Sequence, residues 1–247
     1  MYTSRFFIAF ALCCFSPGST TGKTQIDGLQ KCKKNDPAGL DECLLNMLKQ
    51  AKPYLMQGNP ELNLPSLDPV HISRVPIERD VRGFKVKGDL LNLKAKGIGS
   101  MTIKSLKSNA QQMILEAIAN IPQITYTTDF SLNASAKTLK TALSGSGKCE
   151  GKIDRIAVML HASTEIDGDK LKLIGIDLEL HLEDVDIRVI ETDNPAFVEI
   201  ASYFFNSNKR YVLNMVTPIA QDIIKELLLK HGKQILSTVF ISDLMAD

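Results

Sequence analysis

Apolar and polar residues alternate through the middle of the chain. Ile124, Tyr126, Thr128, Phe130 and Leu132 fall in one phase, while Gln123, Thr125, Thr127, Asp129 and Ser131 fall in the other. A period of two predicts a half-buried strand. Ile156, Val158 and Leu160 repeat the pattern, and Leu171 and Leu173, then Ile176, Leu178, Leu180 and Leu182, repeat it against Asp177, Glu179, His181 and Glu183. The phase slips at Glu183-Asp184 and resumes at Val185, Ile187 and Val189, which reads as an extra residue, a bulge that bends a long strand. Turn signals separate the runs at Gly145-Ser146-Gly147, Asp167-Gly168-Asp169 and Asp193-Asn194-Pro195. Closely spaced strands of this kind form an antiparallel sheet with one apolar face.

Both ends of the chain carry a different period. From Leu40 to Met56 the residues Leu44, Leu45, Met47, Leu48, Ala51 and Leu55 recur at helical spacing, with Asp41 and Glu42 at the favourable N-terminal end. A much longer helix is predicted from about Asn208 to Thr238, carrying Val212, Met215, Val216, Ile219, Ala220, Ile223, Ile224, Leu227 and Leu228. At 1.5 Å per residue it would extend about 45 Å, and Pro218 should kink it. Its apolar stripe is too wide to face water and its charges exclude a membrane span, so the sheet must cover it. The expected fold is therefore α+β: a long curved antiparallel sheet wrapped around one long C-terminal helix, with a short helix near the N-terminus. Strands that curve about a helix need not close on it, and an elongated apolar tunnel is one consequence. An ordinary filled core is the other, and periodicity does not choose between them.

Composition narrows the setting. The chain has 247 residues, 44% hydrophobic and 23% charged, with a formal net charge of +1 and its cations dispersed among acids. No basic stripe is available for a phosphate backbone, which argues against nucleic acid as a partner. Arg5 precedes an apolar run from Phe6 to Phe15, and small residues follow from Ser16 to Gly22. This is the pattern of a secretory signal peptide over residues 1–22, too short to span a bilayer, followed by one domain over 23–247. In the oxidising compartment it implies, Cys32 and Cys43, close in sequence around Asp36, Pro37 and Gly39, are expected to pair. Cys149 is left over as a buried thiol or a link to another molecule. Asn133-Ala134-Ser135 is a glycosylation sequon, usable if Asn133 faces water.

Catalytic chemistry finds little support. No nucleophile elbow, zincin helix, P-loop or dinucleotide fingerprint occurs. Gly97-Ile98-Gly99 reads as a bulge or turn. His71, His161, His181 and His231 are scattered without zinc-ligand spacing, and His161 and His181 fall in the polar phase of their strands. In Pro65-Ser66-Leu67-Asp68-Pro69 two prolines around an Asp form a structural device at a sheet edge, with a catalytic Asp68 as the lesser reading. No metal and no cofactor is expected.

An ordered set of motifs resembles the insect takeout and juvenile-hormone-binding family. It comprises the leader, Cys32 and Cys43 around an acidic loop, Gly58-Asn59-Pro60-Glu61-Leu62, and Leu64-Pro65-Ser66-Leu67-Asp68-Pro69-Val70-His71-Ile72. Tyr126 to Gly151, with Ser144-Gly145-Ser146-Gly147, resembles that family's central strand pair and glycine turn. Phe204-Phe205-Asn206-Ser207-Asn208 and Ile235-Leu236-Ser237-Thr238-Val239-Phe240 resemble its C-terminal segment. The resemblance spans the whole mature chain and implies the tubular lipid-binding fold and carriage of hydrophobic ligands. A second, late disulfide common in moth hormone carriers has no counterpart here, which points to the broader takeout-like group.

The reading that follows is a secreted, non-enzymatic carrier of a small hydrophobic ligand such as juvenile hormone, another isoprenoid, a fatty acid or a quinone-like lipid. Phe130, Leu132, Val158, Leu160, Leu178, Leu180, Phe204 and Phe205 are expected to line its tunnel. Tyr126, Ser163, Thr164 or Tyr203 would supply polar contacts, and the segment from Tyr203 to Pro218 would either gate the tunnel or anchor the helix. The alternative is a secreted module with a filled core whose surface binds a cell-surface receptor or a membrane.

Overall fold

The computed structural model describes residues 31–33, 36, 39–58, 65–81, 84–109, 112–136, 143–238, 241 and 245–246. In chain order the elements are β1 (Cys32–Lys33), α1 (Leu40–Gln57), β2 (Val70–Val81), β3 (Phe84–Lys96), β4 (Thr102–Asn109), β5 (Ile114–Ala136), β6 (Leu143–Asp167), β7 (Lys170–Thr192), α2 (Pro195–Ser207), α3 (Lys209–Thr238) and β8 (Met245–Ala246). The main sheet is ordered β2-β3-β5-β6-β7, with β4 beside β5 where β3 does not reach. All of its pairings are antiparallel. It curls about α3, which packs chiefly on β7. The small strands β1 and β8 pair in parallel and bring the two ends of the described chain together.

The expected fold class holds, and the long helix matches its predicted span almost residue for residue. Three local readings change. Gly145-Ser146-Gly147 is no turn: it lies inside β6, with Gly145 opposite Leu132 and Gly147 opposite Phe130. Close approach explains these glycines, since a Cβ on Gly145 would sit 2.6 Å from the Phe197 ring and one on Gly147 would sit 1.9 Å from the Glu191 carbonyl. Asp193-Asn194-Pro195 does end β7, but it also opens the unexpected helix α2, with Pro195 in the first turn and Asn194 as its N-cap accepting from the Phe197 amide at 3.3 Å.

The slip at Glu183-Asp184 is real but is not a bulge. Ile121, Ile156 and Leu182 form one inward row across β5, β6 and β7, and Ile124, Ile153 and Val185 form the next. On each strand two residues separate these rows where strict alternation allows one, so all three slip together and their register is unbroken. The true register shifts lie between Lys148 and Cys149 and between Ser163 and Thr164. Each leaves one β7 residue unpaired, Ile190 and Ile174, and both face solvent at 47% and 50% exposure.

Three apolar clusters follow one another along the concave face. The first joins α1 (Leu40, Leu44, Met47) to Leu106, Leu115, Leu160, Leu171, Leu173, Leu178 and Leu236. The second gathers Ile121, Ile153, Ile156, Leu182 and Val185 against Val212. The third is Phe130, Cys149 and Phe197, with the two rings stacked at 5.7 Å. The expected Cys32–Cys43 disulfide forms, Cα to Cα 5.8 Å, and ties β1 to α1. The Asp41 carboxylate, in the first turn of α1, accepts from the Ser108 amide at 2.8 Å and so fixes the helix to β4.

Asp68 is structural. Its two carboxylate oxygens accept from the Gly97 amide at 3.0 Å and the Gly99 amide at 2.7 Å, so the proline-bracketed motif and the glycine pair are one device. Gly97 has φ of 112°, and a Cβ there would lie 2.2 Å from the Gln123 carbonyl. Ser66 adds a bond from its hydroxyl to the Met56 carbonyl at 2.7 Å, linking this corner to the end of α1. Asp68→Ala is therefore expected to cost about 2 kcal/mol, since two amides lose a charged acceptor. Urea denaturation checks it; a loss below experimental error would remove Asp68 from the joint.

Candidate ligand site

The concave face is apolar because each long strand directs one phase of its alternation toward α3. The eight residues expected to line a tunnel all fall on strands or helices bordering this face, but they are not equivalent. Phe130, Leu160 and Leu178 are fully buried and belong to packed clusters, Leu178 at 1% exposure. Leu132, Val158, Leu180 and Phe205 are only half-buried. The side chain of Phe204 and residues 1–22, the expected leader, lie outside the described residues. Val158 and Leu180 are cross-strand partners, and both pack against the first and the second cluster.

Opposite them α3 shows the same incompleteness. Val212 and Met215 near its start and Leu236 near its end are buried. Between them, among the described residues, no side chain from Val216 to Gln234 is, although Val216, Ile219, Ile223, Ile224, Leu227 and Leu228 are apolar. These helix residues are absent from the expected lining set. The width of the apolar stripe was the available signal, because a helix packed on one sheet face does not need so many apolar positions.

The four proposed polar contacts separate cleanly. Ser163 and Tyr203 face solvent, Tyr203 at 75% exposure, and the Thr164 hydroxyl donates to the Met113 carbonyl at 3.3 Å. Tyr126 is half-buried in the second cluster, against Gly151, where a Cβ would lie 2.6 Å from its hydroxyl oxygen. That hydroxyl makes no hydrogen bond among the described residues. Burial first, then Cys149 and Asp186, pushes its pKa well above the ordinary phenol value, so it remains a neutral donor. Cys149 is a buried thiol, pushed up to about 11 by burial and then by Asp129, and is inert as a nucleophile at neutral pH.

Elsewhere the chemistry is sparse. His161 and His181 are exposed as expected, and His161 lies 3.6 Å from Glu116. His231 on α3 is half-buried, with its pKa lowered by burial and then by Lys230. Among the described residues no group of three His, Cys, Asp or Glu is placed to hold a metal. A groove of about 670 Å³ on the outer sheet face is lined by Lys94, Lys96, Thr125, Thr127, Glu150, Lys152, Asp186 and Arg188 and also takes in Tyr126 and Gly151. Arg188 pairs there with Glu150, and such polar walls suit no apolar ligand. Asn133 is exposed on β5 and accepts from the Ser144 hydroxyl at 2.5 Å. The start of α3 is held by Lys209, whose ammonium lies 2.9 Å from Asp184, in keeping with an anchoring role for this segment. No helix among the described residues is long and apolar enough to cross a membrane.

Comparison with known proteins agrees with this architecture. The crystal structure of Epiphyas postvittana Takeout 1 superposes with a TM-score of 0.72 at 17% identity, covering 88% of this chain and 99% of that one. At that identity the likeness bears on the fold. Lipopolysaccharide binding protein, at a TM-score of 0.33 and 12% identity over 79% of this chain and 40% of that one, is too distant to add to it. No curated protein sequence matches the chain. The family model for haemolymph juvenile hormone binding protein matches residues 8–246, nearly the entire chain. The chain belongs to the haemolymph juvenile hormone binding protein family.

Proposed function

We propose that the protein is a secreted carrier that takes up a small hydrophobic ligand between the concave sheet face and α3. Residues 1–22 serve as the signal peptide and 23–247 as a single carrier domain. The observation that carries this reading is the long apolar stretch of α3 from Val216 to Gln234 without one fully buried side chain, facing the half-buried pair Val158 and Leu180. Apolar surface left incompletely covered on both sides of an interface is what a ligand would complete. Burying about 350 Å² of ligand contributes about 9 kcal/mol before association costs are subtracted. No covalent step is required, and no residue described above is arranged for one. Membership of a family named for juvenile hormone binding supports the ligand class, with isoprenoids, fatty acids and quinone-like lipids as its candidate members.

Extraction of the purified secreted protein with organic solvent, followed by mass spectrometry, tests the proposal. A stoichiometric lipid supports the carrier. An empty extract from protein that also takes up no added lipid would leave a filled core and surface recognition of a receptor or membrane.

Tyr126 supplies a sharper check. It is the one polar candidate directed to the apolar face whose hydroxyl has no partner among the described residues. Tyr126→Phe should weaken a ligand bearing an oxygen acceptor by about 1 kcal/mol, roughly fivefold, and leave a pure hydrocarbon unaffected. Equal weakening of both would mean that Tyr126 contributes shape alone.

A further inference from the structure

In the order β2-β3-β5-β6-β7, with β4 beside β5, β7 forms one edge of the main sheet and β2 and β4 share the other; α3 packs against β7 and β2. The helix thus bridges the edges of the curl and makes two seams. They differ in kind. On the β7 side Leu182 and Val185 pack with Val212, Leu213 and Val216 in one apolar cluster. On the β2 side the polar link is an ion pair, with Arg79 Nη2 2.5 Å from Asp222 Oδ2. Asp222 is 71% exposed and Arg79 33%. No backbone hydrogen bond joins α3 to β2 among the described residues.

The Arg79 side chain also holds its own seam in tension. Its Nε is enclosed and has no hydrogen-bond partner among the described residues. Opening the seam gives up an ion pair that water already screens, and in exchange it hydrates a donor that is unsatisfied when the seam is shut. The two effects oppose one another, so the polar link by itself adds little to closure. The middle of α3, with no fully buried side chain from Val216 to Gln234, can shift away from β2 while Val212, Met215 and Leu236 keep its ends in place.

We propose that the β2–α3 seam is the lateral entrance to the ligand space and that Arg79–Asp222 is its latch. The proposal rests on the carrier reading and adds where and how the ligand passes. A lateral route admits a long apolar molecule broadside, without threading it through one end of the tube.

Stopped-flow uptake and release of the uncharged fluorophore phenylnaphthylamine tests it on the full mature protein. Asp222→Arg replaces attraction by repulsion at an exposed position, and it should raise association and dissociation rates together by about tenfold while the Kd stays within about twofold. The exchange Arg79→Asp with Asp222→Arg should restore slow rates, and molar salt should speed the native protein far more than the single variant. Rates that ignore residue 222, or that rise without rescue by the exchange while the thermal melt is unchanged, would overturn the latch. Native protein that takes up no fluorophore would overturn the carrier reading and the latch with it. Normal uptake with insensitive rates would overturn the latch alone.

Discussion

Leu180→Trp should reduce the affinity for phenylnaphthylamine by at least about tenfold while lowering the melting temperature by only a few degrees. Leu180 is half-buried, sits opposite Val158, and packs against both of the larger apolar clusters where the interior is least complete. An indole added there takes volume from the ligand rather than from its neighbours. Leu178, two residues back on the same face, is the control. It is 1% exposed within the first cluster, so Leu178→Ala should cost 2–5 kcal/mol of stability, a range typical of cavity formation, with little direct effect on binding. Fluorescence titration and thermal melts of the two variants separate the cases. If Leu180→Trp loses stability in step with affinity, by the 1–3 kcal/mol usual for overpacking, the interior is filled and the carrier reading loses its site.

Cys43→Ser should cost about 3 kcal/mol, the chain-entropy value for a loop of this size. The bridge spans eleven positions and ties β1 to α1. Cys32 is 1% exposed, with the Met47 sulfur 3.3 Å from its Sγ, so the same change also leaves a thiol inside the first cluster. Since β1 pairs with β8, loosening β1 should extend to the C-terminal strand. Hydrogen exchange near Met245 should then rise in the variant together with that in α1. Exchange rising in α1 alone would separate the two ends and confine the bridge to the first helix.

Much of the fold was legible because period carries it. Inward residues of β5, β6 and β7 followed from alternation, and the span of α3 followed from its stripe. Misreadings came where one residue type serves two purposes. Glycine marks a turn or a close approach, and nothing local to Ser144-Gly145-Ser146-Gly147 discloses that the Phe197 ring will lie against it. Asn194-Pro195 ends a strand and also opens a helix, with Asn194 as the N-cap and Pro195 in the first turn, so one signal serves both purposes. The candidate site was legible as a face and not as a space. Leu178 and Leu180 share phase, chemistry and strand, yet one is packed and the other half-covered, because that difference depends on what α3 sets opposite each. Tyr126 was one of four polar candidates until burial and the lack of a hydrogen-bond partner singled it out.

The simultaneous slip of three strands constrains how this chain tolerates changes of length. Removing one residue between Ile153 and Ile156 would turn every later side chain of β6 to the opposite face, while β5 and β7 kept theirs. Changes of length at Pro122-Gln123, Asp154-Arg155 and Glu183-Asp184 are therefore expected only as a set: relatives that differ there should differ in all three strands or in none. A single-residue deletion in one strand should be rescued only by matching deletions in both neighbours.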